Sequence, residues 1–160
     1  KNRLNQGPLE LTVLVNRKNV GEIPAVQLET AIGSALECFE GAVGLTVSRD
    51  RFLPVKKTDD LLLVRSNLFT LNKGQLKINP QRKSQYLPKI ELGEFLQNIE
   101  NFQNSLPIIP DLVDLEELKI KGDVRFEGTA CLKGKVHLEG LKKALILPSG
   151  VVIADENLQG

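Results

Sequence analysis

A chain of 160 residues is about one domain's worth, and its 41% hydrophobic and 26% charged residues belong to a globular protein rather than a disordered or fibrous one. Twenty-one Lys and Arg against 20 Asp and Glu leave a formal charge of +1, which excludes the bulk attraction of a strongly basic domain for nucleic acid or an anionic membrane. No apolar run approaches the ~20 residues of a membrane-spanning helix, the N-terminus lacks a signal peptide's apolar stretch, and cytoplasm is the expected compartment.

Residues 9–15 alternate, with Leu9, Leu11, Val13 and Val15 on one side, and predict a strand with a buried face; residues 16–21 follow as a polar loop. After Pro24, Leu28, Ile32, Ala35, Leu36 and Phe39 recur mainly at steps of three and four. That spacing predicts an amphipathic helix over residues 25–40, stopped by Gly41. A short apolar run over 45–47 leads to Arg49, Asp50 and Arg51, then to Phe52-Leu53-Pro54-Val55-Lys56-Lys57, where Pro54 disfavours helix at the residue before it. Asp59 and Asp60 suit a helix N-terminus, and residues 61–71 predict a helix buried on most sides, with Lys73 and Gly74 at its C-terminus. Strands are expected over 75–78 and 88–92 around a basic loop, then a helix over 94–104 carrying Phe95, Ile99 and Phe102. Leu106, Pro107 and Pro110 interrupt regular structure there. The main internal boundary is expected at this point, giving domains of residues 1–105 and 106–160.

Beyond it Gly122, Gly128, Gly134 and Gly140 stand six residues apart. Within each hexad the third and fifth positions are apolar: Val124 and Phe126, Ala130 and Leu132, Val136 and Leu138, with Leu118 and Ile120 in the same frame upstream. A strict period implies repeated units that bury their apolar positions against neighbours. Six residues make one side of a three-sided parallel β-helix, and these hexads supply little more than one coil. The alternative is an antiparallel meander with its turns at the glycines. The frame falters at residues 141–144, and strand character resumes over 145–153 around a central turn.

Side chains fit for chemistry are few. Cys38 and Cys131 are far apart and read as reduced thiols, and one His excludes an ordinary zinc site. His137 lies between Val136 and Leu138 and so points outward, as does Cys131 between Ala130 and Leu132; they make no nucleophile and base pair. Asp59-Asp60 and Glu116-Glu117 are adjacent acids that suit caps or solvent, and Gly41 and Gly44 lack the context of a phosphate loop. Arg49, Arg51, Lys56 and Lys57 put four cations within nine residues. Such a cluster either holds phosphate, through ammonium and guanidinium donors, or forms surface ion pairs with Asp50, Asp59 and Asp60.

The string Arg51-Phe52-Leu53-Pro54-Val55-Lys56, with Thr58-Asp59-Asp60-Leu61-Leu62-Leu63-Val64 and Ser66-Asn67-Leu68 after it, closely resembles the C-terminal part of the eukaryotic UTP-glucose-1-phosphate uridylyltransferase family, the UDP-glucose pyrophosphorylases. Leu14-Val15-Asn16-Arg17-Lys18 resembles the family's preceding strand and loop, and Gln27-Leu28-Glu29-Thr30-Ala31-Ile32-Gly33 a helix after it. Leu71-Asn72-Lys73-Gly74 and Gly122-Asp123-Val124-Arg125-Phe126 continue the likeness, which covers roughly residues 9–140. The resemblance implies an α/β fold: the end of a Rossmann-like nucleotidyltransferase domain, followed by a short left-handed parallel β-helix. It implies Mg²⁺-dependent transfer of a uridylyl group from UTP to glucose 1-phosphate with release of pyrophosphate. Lys56 matches the family's catalytic lysine, which contacts the UTP phosphates; Lys57 matches less well and receives no role. The family's nucleotide loop, base- and sugar-binding residues and metal-ligating Asp belong to an N-terminal portion that this sequence does not contain. A first residue of Lys1 and the absence of Met agree with a piece of a longer enzyme, inactive alone. The β-helix serves assembly in some members, so a homo-oligomer is expected, and a non-catalytic assembly module is the alternative reading.

Overall fold

Eight consecutive residue pairs join β1 (Val13–Val20) to β2 (Ile23–Thr30) in an antiparallel hairpin, from Val13 opposite Thr30 to Val20 opposite Ile23. The computed structural model describes residues 7, 8 and 10–160, so Leu9 of the expected strand lies outside the described residues. Residues 16–20 are not a loop but the second half of β1; the chain reverses at Gly21, whose φ of +63° suits a tight turn. Nor is there a helix over residues 25–40. Pairing with β1 satisfies the backbone through Thr30, and only Ile32–Cys38 turns, as a short 3-10 helix. Long-range pairing has overridden a helical period already weakened by Gly33. Ala31 N–H donates to Thr12 O at 2.9 Å and Thr12 N–H to Ser34 Oγ at 3.1 Å, which secures the turn to the strand. These elements belong to a compact unit, Lys1–Val47.

The second unit, Ser48–Gly160, begins with a 3-10 turn at Arg49–Arg51 and reaches α1 (Thr58–Arg65). That helix stops six residues short of expectation. Ser66 Oγ bonds Leu63 O, and Phe69–Asn72 becomes β3, paired antiparallel with β4 (Gln75–Ile78). Lys73 (φ 48°) and Gly74 (φ 77°) therefore form the two-residue turn of a hairpin rather than a helix terminus. Then come β5 (Lys89–Leu92), α2 (Glu94–Gln97) and α3 (Ile99–Ser105). The single expected helix is broken at Asn98, whose side chain accepts the N–H groups of Glu100 and Asn101 and so caps α3.

The glycine-spaced region forms β6 (Leu115–Phe126), β7 (Ala130–Leu147), β8 (Val151–Ala154) and β9 (Asn157–Gln159). Strands β5, β6, β7 and β8 pair in that order and β9 pairs β7, all in parallel. The antiparallel meander is thus excluded, and the fold is mixed α/β with a parallel sheet. Leu118 lies beside Val136, Ile120 beside Leu138 and Gly122 beside Gly140. The offset is eighteen residues, three of the six-residue intervals. Past residues 141–144 it lengthens, with Val124 beside Leu145 and Phe126 beside Leu147.

The apolar positions of the hexads are all buried: Leu118, Val124, Leu132, Val136 and Leu138 expose no surface. One column, Leu92, Ile120, Leu138 and Leu158, runs across β5, β6, β7 and β9. Each large apolar side chain buried this way contributes about 1.5–3 kcal/mol. Leu62, Leu68, Leu96 and Phe102 join the same core from α1, the loop after it, α2 and α3. The division expected at residue 106 falls within it.

Candidate functional site

Three features fix the segment that ends in Lys56. Pro54 restricts its own φ and the conformation of Leu53. Arg49 stacks its guanidinium over the Phe52 ring at 4.7 Å, a cation-π contact that settles the entry to the segment. Beyond Lys56, α1 begins with extended Lys57 as N-cap (φ −132°, ψ 168°). A lysine has no oxygen with which to accept from the first helical turn. Asp60 instead closes half a capping box from inside the helix: its Oδ2 accepts Lys57 N–H at 3.1 Å and Lys56 N–H at 2.9 Å. Asp59 faces elsewhere, accepting Leu92 N–H at 2.5 Å and Gln97 Nε2 at 3.0 Å.

Lys56 and Lys57 are exposed. Asp59 and Asp60 form no ion pair with either lysine, nor with Arg49 or Arg51, among the described residues; the side chain of Asp50 lies outside them. The four cations also disperse. Arg51 lines a cleft of about 230 Å³ with Leu53 and the Gly74–Lys77 side of the β3–β4 hairpin, while Arg49 is turned to Phe52. What remains exposed to solvent between Pro54 and α1 is the Lys56–Lys57 pair, a local concentration of ammonium charge suited to phosphate oxygens.

The other candidates are structural. His137 points outward as expected, but its Nε2 lies 2.8 Å from Glu117 Oε1, and Lys119 Nζ lies 2.9 Å from the same oxygen. The two partners hold the Glu117 carboxyl far below the usual range, at about 2. Cys131 is half-buried, and burial, then the nearby Asp111 charge, raise its thiol above its ordinary value, which keeps it protonated and inert. Cys38 Sγ lies 3.7 Å from Glu10 O. Among the described residues no three His, Cys, Asp or Glu side chains converge as metal ligands.

Sequence reasoning passed over two polar anchors. Arg82 is 8% exposed and spends its guanidinium on backbone carbonyls: Tyr86 O from Nε and Nη2, Val113 and Leu115 O from Nη1, at 2.7–3.0 Å. Burial pushes it below its ordinary value, opposed by Asp114 and Glu116. Asn67 donates to Asp111 Oδ1 at 2.8 Å and accepts Leu112 N–H at 2.9 Å, joining the turn after α1 to the approach to β6. Apart from the Arg82 bonds to Tyr86, these contacts cross more than thirty residues of sequence, where no local pattern reveals them.

A family model described as UTP-glucose-1-phosphate uridylyltransferase matches residues 1–133. The protein of that name from Solanum tuberosum is 43% identical over 156 residues, covering 95% of this chain and 32% of its own length. Its namesake from Encephalitozoon cuniculi is 39% identical over the whole chain and 33% of its own length. A crystal structure of a UDP-glucose pyrophosphorylase mutant from Leishmania major in complex with UDP-glucose aligns with 99% of this chain and 35% of that one, at a TM-score of 0.72 and 28% identity. The chain spans about a third of the length of the curated relatives it matches.

Proposed function

Because the chain belongs to the UTP-glucose-1-phosphate uridylyltransferase family, we propose that it is the C-terminal third of a cytoplasmic enzyme that makes UDP-glucose and pyrophosphate from UTP and glucose 1-phosphate. Residues 1–105 then end the catalytic α/β domain and residues 106–160 form a left-handed parallel β-helix. The eighteen-residue register between β6 and β7 supports the second part, since three six-residue sides make one coil. The single observation that carries the function is the family match across the segment bearing Lys56.

Lys56 supplies the chemistry this chain brings. When the sugar phosphate attacks the α-phosphorus of UTP, negative charge gathers on the nonbridging oxygens and on the departing pyrophosphate. A positioned ammonium at those oxygens lowers the barrier, because it meets charge that grows in the transition state. The family resemblance also implies Mg²⁺. The described residues do not fit such an ion: no acidic cluster is present, and Asp59 and Asp60, nearest to Lys56, are committed to hydrogen bonds. No step here is assigned to a metal.

In the full-length protein, Lys56→Ala lowers kcat/KM for pyrophosphate release by about a hundredfold or more; an unchanged rate overturns the assignment. The isolated 160-residue chain, which brings Lys56 without the N-terminal two thirds of the relatives it matches, releases pyrophosphate only at background. Self-association is part of the same reading. Strands β8 and β9 each pair with β7 alone, and an open outer edge invites a further strand.

A further inference from the structure

The adjacent acids at the start of α1 divide their work. Asp59 ties the helix to the end of β5 and to α2 through Leu92 N–H and Gln97 Nε2. Asp60 turns back along the chain and receives two consecutive peptide N–H groups, Lys56 at 2.9 Å and Lys57 at 3.1 Å, on a single oxygen. Those two bonds set the peptide planes on both sides of the Lys56 Cα. The ammonium sits at the end of a flexible four-carbon stem, so a small rotation of the backbone at residue 56 becomes a large displacement at Nζ. Asp60 is thereby placed to hold the lysine's starting direction without touching a ligand, and Asp59 refers that direction to the buried core.

We propose that Asp60 is a positioning residue for uridylyl transfer, which fixes the backbone of Lys56 so that its ammonium meets the phosphates. This rests on the assignment of Lys56 made above. A helix cap alone would contribute stability and nothing to turnover, so the two roles separate in kinetics.

The test compares Asp60→Ala, Asp60→Asn, Lys56→Ala and the Lys56→Ala/Asp60→Ala double variant of the full-length protein, by steady-state pyrophosphate release below the Tm of each. Asp60→Ala lowers kcat by up to about a hundredfold, the scale of a misplacement near 1 Å, with a smaller change in KM for UTP. Asp60→Asn, which keeps an acceptor oxygen, recovers most of that loss. Adding Asp60→Ala to Lys56→Ala costs nothing further, because the carboxylate acts through the lysine. Where Asp60→Ala does not fold, Asp60→Leu, which also lacks an acceptor oxygen, takes its place with the same expectations. A wild-type kcat in Asp60→Ala, or losses that simply multiply in the double variant, overturns the proposal while leaving Lys56 catalytic. An unchanged kcat in Lys56→Ala refutes the assignment of the lysine, and the positioning role with it.

Discussion

Glu117 shows how much one half-buried side chain can be asked to do. It sits on β6 with Lys119 two residues on and His137 on β7, and both meet its Oε1 within 3 Å. Its carboxyl falls from an ordinary 4.5 to about 2, by the hydrogen bond from His137 first and that from Lys119 second. A group whose folded pKa is depressed stabilises the fold above its unfolded pKa, and that contribution is lost as the pH falls through the folded value. Glu117 therefore adds nothing to the pH dependence of stability above about pH 4.5 and a progressive loss between there and about 2. Thermal melts of wild type and Glu117→Gln between pH 2 and 6 should converge at the acid end and separate above it; parallel curves would dismiss the linkage. Thr58 is the residue-scale contrast. Its Oγ1, two positions from Lys56, is the one buried side-chain oxygen or nitrogen without a partner among the described residues.

At the scale of elements, the glycines of the hexads are the sharpest constraint. Gly122 and Gly134 have φ near +73° and +60°, where other residues are strained. Gly140 is held for a different reason: a methyl group there would overlap the Asp123 carbonyl of the neighbouring strand. Gly140→Ala should destabilise the fold by about 1–3 kcal/mol, each kcal/mol lowering Tm by about 2–4 °C, whereas Gly44→Ala, with nothing within 4 Å and no positive φ, should leave Tm unchanged. Equal melts would mean that the strands do not approach as described. The hexads were legible in the sequence because six is an even number: a strand that repeats every six residues keeps the same side inward, so Val124, Phe126, Leu132, Val136 and Leu138 could be named as core from parity alone. The hairpin of β1 and β2 was not. The strand start was read from the alternation up to Val15, but the β2 residues carry a helical spacing, and what decides against it is pairing between Val13 and Thr30, a contact invisible to a local window. Lys73-Gly74 misled for a related reason, since the same two residue types end helices and turn hairpins. Lys56 is proposed through its motif alone; Asp60 was recognised as a helix-start residue, but that it would accept the Lys56 and Lys57 amides was not visible in the sequence.

The whole molecule divides unevenly. Every member of the main buried core, from Leu62 to Ile153, lies in Ser48–Gly160. In the unit Lys1–Val47, by contrast, Val13, Val15, Val20, Ile23, Leu28, Ile32, Val43 and Leu45 are all more than half exposed. Among the described residues, the buried core of Ser48–Gly160 is built from that unit's own side chains. A chain beginning at Ser48 should fold on its own, with a single cooperative melt at the Tm of the full 160-residue chain. A broad or absent transition would show that the hairpin unit supports the sheet.

The bonds that Asp59 and Gln97 make at Leu92 have one more effect. Leu92 N–H is taken by the Asp59 carboxylate, and Gln97 Nε2 donates to Leu92 O at 2.9 Å, so side chains occupy main-chain groups at the end of β5, where another strand would need them. The sheet is blunted at its β5 border and open at β8 and β9, which gives it a polarity. A strand added beside the end of β5 would have to displace those side chains, whereas β8 and β9 are held through their pairing with β7.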